Sequence, residues 1–108
     1  MPYIILTSTF PATKAKEVAK VYLEVTKKYP PDKTLEKQIF QGAIKSGEEG
    51  IMTIGISEPK PGKMSEFLVR LQNSQVMYHD IEGLKYKIEV WYNIVEALGM
   101  LGMKAPEF

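Results

Sequence analysis

The chain has one histidine, His79, followed directly by Asp80. Imidazole is the side chain that exchanges protons near neutral pH, so a histidine-based general base has to be His79. Four aromatic residues, Tyr22, Phe67, Tyr78 and Tyr86, fall on apolar stripes that a fold would bring together. Tyrosines give an apolar wall with a hydroxyl that can orient a bound molecule, and Met52 and Met64 add adaptable contacts. Tyr22, Phe67, Tyr78, His79 and Tyr86 are therefore the candidate ligand-binding residues. Each also has a structural role available. The aromatic residues can simply be core, and a histidine near a helix C-terminus offsets the helix dipole. Lys87, Glu89 and Trp91 form a second candidate cluster, whose structural reading is an ion pair on a sheet surface.

Other chemistries find no support in the residue types. There is no cysteine, which excludes disulfides, thiolate catalysis and cysteine-built zinc sites. His79 with Asp80, Glu82, Glu48 and Glu49 matches no metal-ligand spacing, so no metal is expected. Ser65 begins no nucleophile elbow, and Gly42, Gly47, Gly50 and Gly55 form neither a phosphate-binding loop nor a dinucleotide fingerprint. With 14 basic against 13 acidic residues the net charge is +1, which gathers neither nucleic acid nor anionic lipid.

The length of 108 residues, with 44% hydrophobic and 25% charged, is that of one soluble globular domain spanning 1–108. The apolar start lacks a basic leader and stops at Thr7-Ser8-Thr9, and no apolar run approaches the ~18 residues of a spanning helix. A cytoplasmic location is the resulting expectation.

The elements that would position these residues follow from periodicity. Residues 3–9 are β-branched and aromatic, a first strand ended by Pro11. Ala15, Val18, Ala19, Tyr22, Val25 and Tyr29 recur at helical steps over 13–29, with Thr13 as N-cap and Pro30-Pro31 as stop. A strand over 34–44, the turn residues 46–50 and the alternating strand 51–57 predict an antiparallel hairpin. Met64, Phe67, Leu68, Leu71, Gln75 and Tyr78 keep helical spacing over 64–79. Gly83 then precedes a strand over 84–92. Asn93 caps a short last helix whose Ile94, Leu98 and Leu101 share a face, ending at Gly102.

The order βαββαβ plus a C-terminal helix predicts an α+β, ferredoxin-like domain with two helices on one face of a four-stranded antiparallel sheet. Ile4 and Leu6, with Met52, Ile54 and Ile56 and with Tyr86, Ile88 and Val90, are assigned to the helix side. In the first hairpin strand, Leu35, Ile39 and Ala43 compete with Phe40 and Ile44 for that side. The opposite face then carries Tyr3, Ile5 and Trp91, an apolar patch of the kind that marks an interface, so a homodimer through these residues is expected.

In element order, length and the Gly-punctuated Asp80-Ile81-Glu82-Gly83-Leu84 before the last strand, the chain resembles the dimeric α+β barrel superfamily. Its members include antibiotic-biosynthesis monooxygenase-like, stress-responsive and muconolactone-isomerase-like proteins. The resemblance implies two sheets packed face to face across a two-fold axis, with clefts between helices and sheet or inside the barrel. Haem-degrading members use a strand Asn, a strand Trp and a helix His. Trp91 and His79 match in type, but Thr7, Ser8 and Thr9 supply no Asn, and no cofactor is expected. RNA-recognition domains of similar fold need third-strand aromatics, and acylphosphatases need an early-loop arginine; this chain has neither. The functional expectation is a homodimer binding a small, largely apolar molecule, lipid-like or aromatic. The alternatives are a cofactor-independent monooxygenase or isomerase using Tyr78, His79 or Tyr86, and a structural or regulatory dimer without a ligand.

Overall fold

The computed structural model describes residues 2–106. The elements run β1 (Tyr3–Phe10), α1 (Ala15–Lys28), β2 (Glu36–Gly47), β3 (Gly50–Pro59), α2 (Met64–Val76), β4 (Lys85–Trp91) and α3 (Ile94–Met100). The strands form one antiparallel sheet in the order β2-β3-β1-β4. The chain is thus α+β, with a four-stranded antiparallel sheet and three helices among the described residues, consistent with a ferredoxin-like fold.

Element boundaries differ from expectation where local hydrogen bonding overrides periodicity. Thr13 does not cap α1. It lies inside a 3-10 turn at Ala12–Lys14, and Lys14, which has no side-chain acceptor, occupies the N-cap. The second helix ends at Val76, before the expected 79. The N–H groups of Tyr78 and His79 donate to the Gln75 and Val76 carbonyls as tight turns, so His79 lies beyond the helix. Asn93 caps α3 as expected: its Oδ1 accepts from the Glu96 N–H at 2.8 Å, and Glu96 Oε1 accepts from the Asn93 N–H at 3.1 Å. At the other end Gly102, at φ 70°, lets the Met103 N–H reach the Leu98 carbonyl.

Strand pairing overturns one assignment. In β1–β3 the facing pairs are Ile4 with Ser57, Leu6 with Gly55 and Ser8 with Thr53. Met52, Ile54 and Ile56 therefore lie on the face of Ile5, Thr7 and Thr9, and not on the helix side, because residues directly opposite share a face. The β1–β4 pairing bears out the rest, with Ile4 and Leu6 opposite Val90 and Ile88, and Tyr3 opposite Trp91. In β2 two register shifts flank Phe40, so neither simple alternation holds along that strand.

The buried residues are few among those described: Ile4 and Phe10 from β1, Leu35 ahead of β2, Pro59, Phe67, Ser74 and Gln75 from α2, and Tyr78 and Ile81 from the loop after it. No residue of α1 is buried, and Leu101 and Ile44 are each 74% exposed. The accessible surface is 7774 Å², against about 6,100 Å² for a compact monomer of this mass. The radius of gyration, 15.8 Å, likewise exceeds the roughly 13 Å of a compact chain this long.

Gly50 opens β3 at φ 114°, and a Cβ there would press into the Phe10 carbonyl oxygen. That clash is with backbone and has no flexible side chain to relieve it. Gly50→Ala should cost about 2 kcal/mol or more in urea unfolding. Gly47→Ala, where a Cβ meets nothing within 4 Å, should be nearly neutral.

Candidate functional site

A cleft of about 720 Å³ separates α1 and α2 from the inner face of the sheet. The cleft exists because of the β3 register. Its floor is Ser8, Thr53, Gly55 and Ser57 beside Ile4 and Leu6, and these small side chains leave a gap that Met or Ile would fill. Val18, Tyr22 and Val25 of α1 form one wall, and Phe67 and Leu71 of α2, with Tyr78 just beyond it, form the other. Gly55 also lets the bulged β2 approach, since a Cβ there would stand 3.3 Å from the Gln41 carbonyl oxygen.

The expected ligand-binding set divides. Tyr22, Phe67 and Tyr78 line this cleft together, Phe67 and Tyr78 buried and Tyr22 45% exposed. His79 and Tyr86 are not among its lining residues. They meet at the surface, where Tyr86 Oη lies 3.2 Å from His79 Nε2 and accepts from Gln72 Nε2 at 2.6 Å. The two rings stack at 5.9 Å with an interplanar angle of 20°. This cluster ties the turn after α2 to β4, and the Asp80 carboxylate makes no hydrogen bond to His79 within it. Of the methionines, Met52 lies on the open face and Met64 begins α2, outside the cleft lining.

Tyr3, Ile5 and Trp91 lie on the opposite face, joined there by Met52, Ile54 and Ile56. Trp91 is 54% exposed. Lys87 and Glu89 share this face, opposite Thr7 and Ile5.

Two hydrogen-bonded pairs of polar side chains lie along the floor of the cleft. At mid-floor the Ser8 and Thr53 hydroxyls are 2.5 Å apart and hydrogen-bonded. Four residues along β3, about 13 Å at the rise of a strand, the Ser57 hydroxyl donates to Glu36 Oε1 at 3.2 Å. Glu36 is half-buried, and burial pushes its carboxyl above the usual range against the opposing pull of Ser57 and Arg70. Sequence reasoning missed it because a lone carboxylate opening a strand has no motif. The signal lay in the preceding turn: Asp32 Oδ1 accepts from the Thr34 N–H and hydroxyl, and the Asp32 carbonyl accepts from the Leu35 and Glu36 N–H groups. That turn delivers Leu35 to the core and Glu36 to the cleft. Among the described residues no group of three or more His, Asp or Glu could hold a metal ion.

Burial, with a smaller contribution from Tyr22, pushes the Tyr78 phenol up to about 12. A raised acid holds its proton more tightly in the folded state than in the unfolded one, so stability is lost as pH rises from the ordinary 10 toward 12. Tyr78→Phe should change the urea midpoint little at neutral pH and should flatten the alkaline loss relative to wild type. An unchanged alkaline slope would mean that the phenol is not held in this environment.

Comparison with protein-family models, with curated proteins and with solved structures finds no match to this chain.

Proposed function

We propose that the chain works as a homodimer that holds a small, largely apolar molecule in the cleft between its helices and its sheet. The observation that carries this reading is the make-up of the cleft. Its walls are largely apolar and aromatic, its floor is kept low by Ser8, Thr53, Gly55 and Ser57, and the hydroxyls of that floor are oriented by hydrogen bonds. A site of this size and composition fits a small ligand. No residue of α1 is buried, so the helix has apolar surface left for a bound molecule to cover.

The dimeric half of the reading is supported by the open face. Tyr3, Ile5, Ile54, Ile56 and Trp91 share it, and α3 leaves Ile94, Val95 and Leu101 exposed beyond it. The surface in excess of a compact monomer is about 1,700 Å², where a standard interface takes about 800 Å² from each partner. Packing two such sheets face to face would give the arrangement of the α+β barrel proteins that the sequence resembles.

An apolar ligand at a hundred times its Kd stabilises the native state by about 2.7 kcal/mol, on the order of 10 °C in Tm for a domain this size. Aliphatic alcohols or naphthols should therefore raise the Tm of wild type. Val18→Trp, which fills the cleft from α1 at a cost of about 1–3 kcal/mol, should abolish the rise. A flat Tm across the panel would overturn the binding reading.

Trp91→Glu puts a charge on the open face at the end of the edge strand β4. It should leave the far-ultraviolet circular dichroism unchanged while shifting the species seen by light scattering from dimer to monomer. Wild type sedimenting as a monomer at micromolar concentration would overturn the dimeric reading.

A further inference from the structure

Two of the residues that line the cleft carry charge, Glu36 and Arg70. They are not equivalent. The Arg70 guanidinium is already engaged: its Nη2 donates to the Pro30 carbonyl at 2.6 Å, and its plane lies over the Tyr29 ring at 5.5 Å. Glu36 is half-buried, and the hydrogen bond from Ser57 reaches only its Oε1. Among the described residues its Oε2 accepts nothing from the protein. Asp32, in the turn leading to β2, adds a second carboxylate close enough to act on Glu36 electrostatically. Lys60 and Arg70 both act on Asp32 and offset its charge, which leaves the Glu36 carboxylate as the anionic group that lines this end of the cleft.

Resting on the binding reading above, we propose that the ligand is an apolar amine, whose ammonium head is held by the Glu36 carboxylate at the β2–β3 end of the cleft while its body lies along the Gly55 floor. The geometry favours an amine over an alcohol or an acid. A hydroxyl could satisfy Oε2, but it would bring no positive charge to the partly desolvated carboxylate. A carboxylate would bring a second negative charge against Glu36, where the Arg70 Nη2 is already bonded to the Pro30 carbonyl. An ammonium supplies the missing donor and places a positive charge in contact with the carboxylate, and a charge-assisted hydrogen bond in a partly dry site is worth more than a neutral one.

A pH dependence follows with a definite sign. The charged groups facing Glu36 are Arg70 from α2 and Asp32 from the preceding turn, with the neutral Ser57 of β3 beside it. Burial raises the Glu36 pKa, whereas an ammonium in contact favours the ionised form. Amine binding should therefore release a proton at mildly acidic pH, and amine affinity should fall as pH is lowered through the protonation of Glu36.

The test is calorimetric titration of the full chain with three probes of equal chain length: n-octylamine, 1-octanol and octanoate. At neutral pH the amine should bind about tenfold more tightly than the alcohol, and octanoate more weakly than either. Glu36→Gln keeps an acceptor but loses the charge. It should remove the tenfold preference while leaving the alcohol within about twofold of wild type. Equal binding of amine and alcohol, or a preference for octanoate, would overturn the head-group assignment and leave the apolar cleft standing. Binding of none of the three would overturn the cleft reading and this one with it. If Glu36→Gln does not fold, the wild-type pH series decides. An amine affinity that stays constant while the alcohol's also stays constant would overturn the proposal.

Discussion

The register between β1 and β3 is the constraint on which everything else in this molecule depends. With Ser57 opposite Ile4, the small residues of β3 face the helices and the large ones face away. A slip of one residue would exchange the two sets completely, since side chains alternate with a period of two. It would fill the cleft with Met52, Ile54 and Ile56 and take them from the open face, leaving Tyr3, Ile5 and Trp91 there. Local contacts hold the register at several points. Gly50 turns β3 in against the Phe10 carbonyl, where no residue with a Cβ fits, and the Ser8 and Thr53 hydroxyls bond across the pair. Further along, Ser57 ties β3 to Glu36 at the start of β2.

From that register the rest of the packing follows. The helices cannot close onto a floor made of serine, threonine and glycine with the density of an ordinary core. Instead α2 is anchored by Phe67 and by Tyr78 and Ile81 in the loop behind it, while α1 has no buried residue at all. The buried polar groups of α2 look after themselves: the Ser74 hydroxyl donates to the Leu71 carbonyl and accepts from Gln75 Nε2. They ask nothing of the sheet. The two walls of the cleft therefore differ in firmness, a fixed wall at α2 and a less buried one at α1.

Much of the fold was legible in the sequence, because every element has a strong local signal. The helical spacing of Ala15, Val18, Tyr22 and Val25, the alternation in β1 and β4, and the Asn93–Glu96 capping box all act within a few residues. The facing of β3 was not legible. Its alternation is clear, but the rule that the more apolar set faces the helices points the wrong way here. Met52, Ile54 and Ile56 lie on the open face instead. Of the candidate site, Tyr22, Phe67 and Tyr78 come together as their spacing suggested. His79 and Tyr86 do not join them, because the chain leaves helical geometry at Val76 and turns the imidazole outward onto β4. Glu36 was invisible for the opposite reason. Its chemistry comes from a desolvation that only the packed cleft supplies.

The same strand also bears on how a second copy would approach. A long exposed edge such as β2 ordinarily invites strand addition, and Ile39, Phe40 and Ile44 on it are exposed. Two register shifts around Phe40 interrupt its ladder, however, and Lys37 and Lys45 lie along it, both devices that blunt edge pairing. The bulged path brings the Gln41 carbonyl to 3.3 Å from where a Cβ on Gly55 would stand, a tight approach that glycine eases. The glycine that lowers the cleft floor thus also eases the irregular path of the edge. The face bearing Tyr3, Ile5, Ile54, Ile56 and Trp91 is an apolar surface that does not depend on that edge, on the far side of the sheet from the cleft. In the reading proposed above, assembly and ligand binding then use opposite sides of one strand. A substitution such as Trp91→Glu can reach the first without touching the second, whereas a side chain at Gly55 would press on the Gln41 carbonyl of β2 and project into the floor of the cleft.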